Sequence, residues 1–156
     1  MIIPLRKIVK PGDKVAIIFN DITRPTPSKL IIETILKELK HIPLSSIKLF
    51  NAVGTHQLNT VEELRTMIGS YLAENFRIVQ NNAFDKNLLQ YIGTSSFGND
   101  ILVNKELMSC NLKILTGFIE PHFFAGFSGG GKAIMPGMAG INTILSNHNC
   151  LCRRYQ

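Results

Sequence analysis

Three short apolar runs separated by two stretches of helical period constrain this chain most. The runs are KVAIIF (Lys14 to Phe19), SIKLFNAVG (Ser46 to Gly54) and FRIVQ (Phe76 to Gln80). Each is too short for a helix and follows or precedes turn residues, as KPGD does before the first, so each reads as a buried strand. Between the first two, SKLIIETILKELK places Ile31, Ile32, Ile35, Leu36 and Leu39 on one helical stripe. Pro27 suits the first turn of that helix and Thr26 its cap. Between the second and third, TVEELRTMIGSYL reads as one helix that starts with a capping box, Thr60 to Glu63. Strand, helix, strand, helix, strand predicts a mostly parallel sheet with helices on both faces, a Rossmann-like α/β fold. Further on, IGTSSFGNDILVN (Ile92 to Asn104) predicts a turn-separated strand pair, KELMSC a helical turn, and LKILTGFI (Leu112 to Ile119) another strand. No internal repeat, low-complexity tract or linker is present.

In an open parallel sheet, ligands bind beyond the carboxyl ends of the strands. NDITRP, NAVGTH and GFIEPHFFAGFSGGGK each follow a predicted strand, so all three are expected at one edge of the sheet. The last of them is the densest in chemistry. Gly126 to Lys132 fits G-x-x-x-x-G-K, the phosphate loop of nucleotide hydrolases. That loop also needs Ser or Thr after the lysine and then a helix. Here Ala133 follows, and Pro136 interrupts any helix one turn on, so the phosphate-loop reading fails. What remains is a bent backbone, Gly129, Gly130 and Gly131, that presents the Lys132 amine to a ligand at close range. The plain alternative is a glycine-rich surface turn with a solvated lysine.

Four histidines occur in the chain. His122 lies in EPHFF, where flanking apolar groups desolvate the ring, lower its pKa and keep it a neutral base. His56 closes AVGTH at a strand's carboxyl edge, a position suited to a site residue; otherwise it starts the following helix. His148 in SNHN has the weakest local case. His41 follows the first long helix, where a cation complements the helix C-terminus, and takes no site role. Asp21 and Arg24 share DITRPTP. Arg24 precedes a helix start, whose free amides favour an anion, and its guanidinium adds a forked donor for carboxylate or phosphate. Asp21 is expected to orient Arg24 or a ligand hydroxyl. The plain alternative is a capping aspartate with a surface ion pair.

Composition narrows the class. The chain has 156 residues, 45% of them apolar, enough for a globular core. Its net charge is +6, but the lysines and arginines are dispersed, with only Arg153 and Arg154 adjacent near an end. Dispersed cations are a solvated surface, so nucleic-acid binding is not expected and small anions are favoured. No apolar run could cross a membrane, and MIIPLRKIVKPGDK lacks the pattern of a secretory signal. The three cysteines, Cys110, Cys150 and Cys152, do not make a disulfide framework, and a reducing cytoplasm is the expected compartment.

Taken together, DITRPTP, NAVGTHQ, GFIEPHFFAGFSGGGKAIMPG and SNH resemble the amino-terminal domain of the nickel-pincer-dependent 2-hydroxyacid racemases and epimerases, the lactate racemase family. The motifs occur in the family's order from about Pro4 to His148. The resemblance implies that Lys132 carries a nickel pyridinium thiocarboxamide mononucleotide (the nickel-pincer nucleotide) through a thioamide, with Gly129, Gly130 and Gly131 beside it. It implies that His148 is the protein's nickel ligand and that His56 and His122 are the acid–base pair, one on each face of the substrate. Arg24, with Asp21 nearby, would hold an anionic group of cofactor or substrate. The implied reaction moves hydride from the carbon of a 2-hydroxy acid such as lactate to the cofactor and back to the other face of the planar 2-oxo acid. Two enantiomers require two opposed bases. The implied partners are that small substrate and the proteins that make the cofactor. Family members carry a second domain that closes the cleft, and NCLCRRYQ after His148 departs from the pattern. The chain is therefore expected to be that first domain alone over residues 1–156, incomplete, self-associating through exposed apolar surface, and unable to complete a cycle by itself. The alternative that the motifs leave open is a non-catalytic α/β module that binds a nucleotide-like anion or a partner chain.

Overall fold

A computed structural model of the chain describes residues 3–123 and 125–148. Cys150, Cys152, Arg153 and Arg154 lie outside the described residues. The chain runs from a one-turn helix α1 (Leu5–Ile8) into strand β1 (Val15–Asn20), helix α2 (Ser28–Glu38) and strand β2 (Ile47–Ala52). Helices α3 (Val61–Ile68) and α4 (Ser70–Asn75) lead to β3 (Arg77–Gln80). A hairpin follows, β4 (Leu89–Thr94) and β5 (Asp100–Asn104), then the one-turn helix α5 (Lys105–Met108) and β6 (Leu112–Leu115). A small hairpin, β7 (Pro121–His122) and β8 (Gly126–Phe127), a 3-10 turn at Gly130–Ala133 and helix α6 (Ile141–Asn147) complete it.

The main sheet has the order β3-β2-β1-β6 with every neighbouring pair parallel, as the strand–helix alternation predicts. Val15 is level with Ile47 and Leu112, and Ile18 with Phe50 and Leu115. β1 is central, and its first five residues are fully buried. That explains why KVAIIF is apolar throughout instead of alternating. Val15, Ile17 and Phe19 pack with Ile32 and Leu39 of the α2 region, Leu64 and Ile68 of α3, and Leu72 of α4. Ala16, Ile18 and Phe50 pack on the opposite face with Val103, Leu107, Cys110, Ala133 and Met138. Full-length helices therefore cover one face. The other is closed by β5, the short α5 and the segment that follows Gly129.

Local differences from the sequence expectation have local causes. The predicted second helix is two, because Gly69 breaks it at φ +86, a conformation that L side chains rarely adopt. Its capping box is present, with Glu63 N on the Thr60 hydroxyl and Thr60 N on the Glu63 carboxylate. Thr26 does not cap α2. Thr26 N bonds Arg24 O and Ser28 N bonds Thr26 O, so tight i to i+2 turns run through the two prolines, and Pro27 takes the N-cap position. The strand predicted over Leu112 to Ile119 leaves the ladder after Leu115, and Ser128 N bonds Glu120 O instead.

The chain winds from β1 outward to β2 and β3, then returns to place β6 on the other side of β1. The winding direction reverses between β1 and β6. An open sheet forms its ligand crevice at the carboxyl end of such a reversal.

Candidate functional site

Asp21 is the first residue beyond β1 and is buried. Its carboxylate accepts from the Thr23 hydroxyl at 2.8 Å and from His56 Nδ1 at 2.5 Å. A carboxylate only accepts, so His56 donates from Nδ1, and in the neutral ring Nε2 carries the lone pair. His56 is held on the turn after β2, where His56 N bonds Val53 O and Gly54 N bonds Gly137 O. Its side chain is half exposed, and it lies outside α3, which Thr60 caps. The expected Asp21–Arg24 pairing does not occur. Asp21 is engaged by the residue after β2, while Arg24 reaches the segment after β6, where its Nη1 meets Glu120 Oε1 at 2.5 Å.

After β6, Thr116 directs both its backbone N and its hydroxyl to Ile18 O, fixing the exit from the sheet. The small hairpin follows. His122 accepts from Ala125 N at Nδ1, which places the proton of the neutral ring on Nε2. Desolvation, then the charges of Lys132, Arg24 and His148, hold the His122 pKa below the ordinary imidazole value, with Glu120 opposing. The shift has the direction expected from the sequence, and the neighbouring charges contribute to it along with desolvation.

Gly129 has φ +83, and a Cβ there would stand 3.0 Å from Ile119 Cγ1. The angle is one that L side chains rarely adopt, and the Cβ would also make Ile119 shift. From it the 3-10 turn carries Lys132 inward, with Lys132 N on Gly129 O and Gly137 N on Lys132 O. No phosphate-loop helix follows the lysine; the 3-10 turn ends at Ala133. Desolvation first, and Arg24 second, lower the Lys132 pKa, again against Glu120. The amine is therefore less basic than a surface lysine. His148 ends α6 as its C-cap, and its Nδ1 donates to Ile144 O at 2.7 Å. That bond leaves the lone pair on Nε2, the arrangement that orients metal-ligating imidazoles.

These groups meet in one open cleft of about 240 Å³ at the carboxyl edge of the sheet. His56, His122, Lys132, His148, Asp21 and Arg24 all line it, as does Gly129. Gly130 and Gly131 belong to the lysine turn but are not among its lining residues. Thr55, Thr116, Ser128 and Pro136 also line it and carried no sequence expectation. Glu120 was visible in the same EPH motif as His122, but its partner lies 96 positions away, and only the fold brings them together. Among the described residues, no group of three or more His, Cys, Asp or Glu side chains could hold a metal by itself. No helix among them is long and apolar enough to cross a membrane.

Fold and cleft together define an open-sheet α/β domain with a polar cleft at the carboxyl ends of β1, β2 and β6. The chain matches the family model of the lactate racemase N-terminal domain over residues 2–156, which includes the stretch after His148 expected to depart from the pattern. It therefore belongs to that family. It is 37% identical over 145 residues to the lactate racemase of Thermoanaerobacterium thermosaccharolyticum, covering 92% of this chain and 34% of that protein. It is 38% identical over 146 residues to that of Lactiplantibacillus plantarum, covering 93% and 34%. The structure of the lactate racemase apoprotein from T. thermosaccharolyticum superposes with a TM-score of 0.83 at 38% identity, over 88% of this chain and 34% of that one. A Thermotoga maritima crystal structure shares the fold, with a TM-score of 0.72 at 24% identity, over 90% and 38%. The chain thus spans about a third of the length of these relatives.

Proposed function

We propose that this chain is the cofactor-bearing and acid–base-bearing part of a 2-hydroxyacid racemase that acts on lactate or a similar small 2-hydroxy acid. The observation that carries this reading is the convergence of His56, His122, Lys132 and His148 on one cleft in a member of the lactate racemase N-terminal domain family. Inverting a hydroxyl-bearing carbon requires a proton to leave the 2-hydroxyl on one face and return from the other. The two imidazoles would share that task, one neutral as base and the other protonated as acid. His56, backed by Asp21, keeps a lone pair on Nε2 and is set as a base. His122 would be the opposed group: its imidazolium form would return the proton, and the lowered pKa makes that form the stronger acid.

Lys132 would carry the nickel pyridinium thiocarboxamide mononucleotide. A partly desolvated amine beside Arg24 is neutral more often than an ordinary lysine, which suits covalent attachment. His148 would give the metal one imidazole nitrogen, with soft donors from the bound group completing the set. When bound, that group supplies the hydride acceptor and donor. Arg24 would hold the substrate carboxylate or the cofactor phosphate by a forked pair of hydrogen bonds.

The test is a lactate titration of the chain, followed by the ring resonances of His56 and His122. Saturable shifts of both rings with one Kd are expected. A response of neither ring, or of one alone, contradicts the reading.

A further inference from the structure

We propose that Glu120 is a positioning residue for Arg24: its carboxylate fixes one edge of the guanidinium and leaves the other edge presented to an oxyanion in the cleft. The inference rests on the reading above, in which Arg24 receives an anionic group. Glu120 itself does not line the cleft. It acts through Arg24 Nη1, and both side chains are about two-thirds covered.

Both ends of this bridge have constrained backbones. Glu120 N donates to Ser128 Oγ at 2.9 Å, and Ser128 N donates to Glu120 O at 2.8 Å. Ser128 Oγ in turn donates to Phe118 O at 2.6 Å. One serine thus clamps the segment that carries Glu120 from three sides. Arg24 stands on the turn that leads into Pro25 and Pro27, with Arg24 N on Asp21 O and Arg24 O accepting from Thr26 N. A carboxylate and a guanidinium that meet from two such supports hold each other in one place.

The bridge engages a single guanidinium nitrogen, Nη1. An arginine has five N–H donors, and its Nε and Nη2 form the fork that matches a carboxylate or phosphate. Without a counterion, Arg24 beside Lys132 would also be repelled from the site. Glu120 opposes Arg24 in the field felt by both Lys132 and His122, as a third group between two cations should. The same Ser128 precedes Gly129 and the lysine turn, so Glu120, the partner of Arg24, and Lys132 stand on one connected piece of backbone.

Two oxyanions fit, a substrate carboxylate and a nucleotide phosphate. The test titrates the chain with lactate and, separately, with inorganic phosphate, following the Arg24 Nε–H resonance and the His122 ring. It compares Glu120→Gln, Glu120→Ala and Arg24→Ala, each first shown to keep the native amide spectrum. Gln keeps an acceptor for Nη1 and loses only the charge, so it is expected to bind as tightly as the unaltered chain or more tightly. Ala frees the arginine as well, and is expected to bind roughly three- to tenfold more weakly than Gln, the factor associated with immobilising one long side chain. The anion that shows the difference is the one that Arg24 holds. Equal affinity of Gln and Ala for both anions, or tighter binding by Ala, overturns the positioning role while loss of binding in Arg24→Ala leaves the anion role intact. If Arg24→Ala binds both anions as well as the unaltered chain, the anion role of Arg24 fails, and the proposal with it.

Discussion

At His122, desolvation and the neighbouring Lys132, Arg24 and His148 act in the same direction. Burial beside the hairpin and the charges of Lys132, Arg24 and His148 all disfavour the imidazolium. The ring should therefore protonate at a lower pH than a free imidazole and stay neutral through the neutral range. Lys132→Met removes one of those charges, so a pH titration of the His122 ring resonance should show the midpoint move upward. A midpoint that stays put or moves downward would contradict the arrangement. The direction of the shift was legible in EPHFF, but Phe123 is exposed, so the flanking ring named by the sequence is not what covers His122. The charge part was not, because Lys132 and Arg24 reach His122 through the fold. The same limit applies to Asp21. Its sequence neighbourhood offered Arg24, three positions away, whereas its partner is His56, 35 positions away across two parallel strands.

At the scale of elements, the lysine turn depends on Gly129. Its φ of +83 with ψ near 180° is a region open essentially to glycine alone, and a Cβ there would press on the Ile119 side chain. Gly129→Ala should cost about 1–3 kcal/mol in a urea melt and broaden the amide signals of the turn. An unchanged melt would show that the turn adopts another path. A second element-level feature is the ionic staple of α5 to the sheet. Glu106 takes both Nε and Nη2 of Arg77 on β3 and Lys48 Nζ on β2. The Arg77 hydrogen bonds, more than Lys48, hold its pKa down to about 2 from the ordinary 4.5. A depressed carboxylate stabilises the fold above its unfolded pKa, and that contribution is lost as pH falls toward the folded value. Stability should therefore decline between pH 4.5 and about 2, and Glu106→Gln should flatten that part of the acid limb. An acid limb identical in both would remove the staple from the explanation. Strands, helices and the capping box were legible because period and cap chemistry are local. The break at Gly69 was not, because a glycine inside a helical pattern does not reveal its φ, and neither was the early end of β6, which is settled by the partners the fold brings within reach.

For the whole molecule, the strand order was not written in any one segment. Three motifs after three strands pointed to one edge of a sheet. That β1 lies between β2 and β6, with the reversal beside Asp21, is a property of the complete winding. That placement turns six scattered polar residues into one cleft. Exposed Ile119, Phe123 and Phe127 stand on the segment that carries His122, so apolar surface accompanies the site on the same small hairpin. The central claim is that Lys132 is the attachment point of the bound group, and intact mass measures it most directly. The chain, co-expressed with proteins that make the nickel-pincer nucleotide, should appear heavier than its 17.4 kDa sequence by one adduct. Peptide mapping should place that adduct on Lys132, and Lys132→Ala should lack it. An unmodified mass, or an adduct that persists in Lys132→Ala, would contradict the claim.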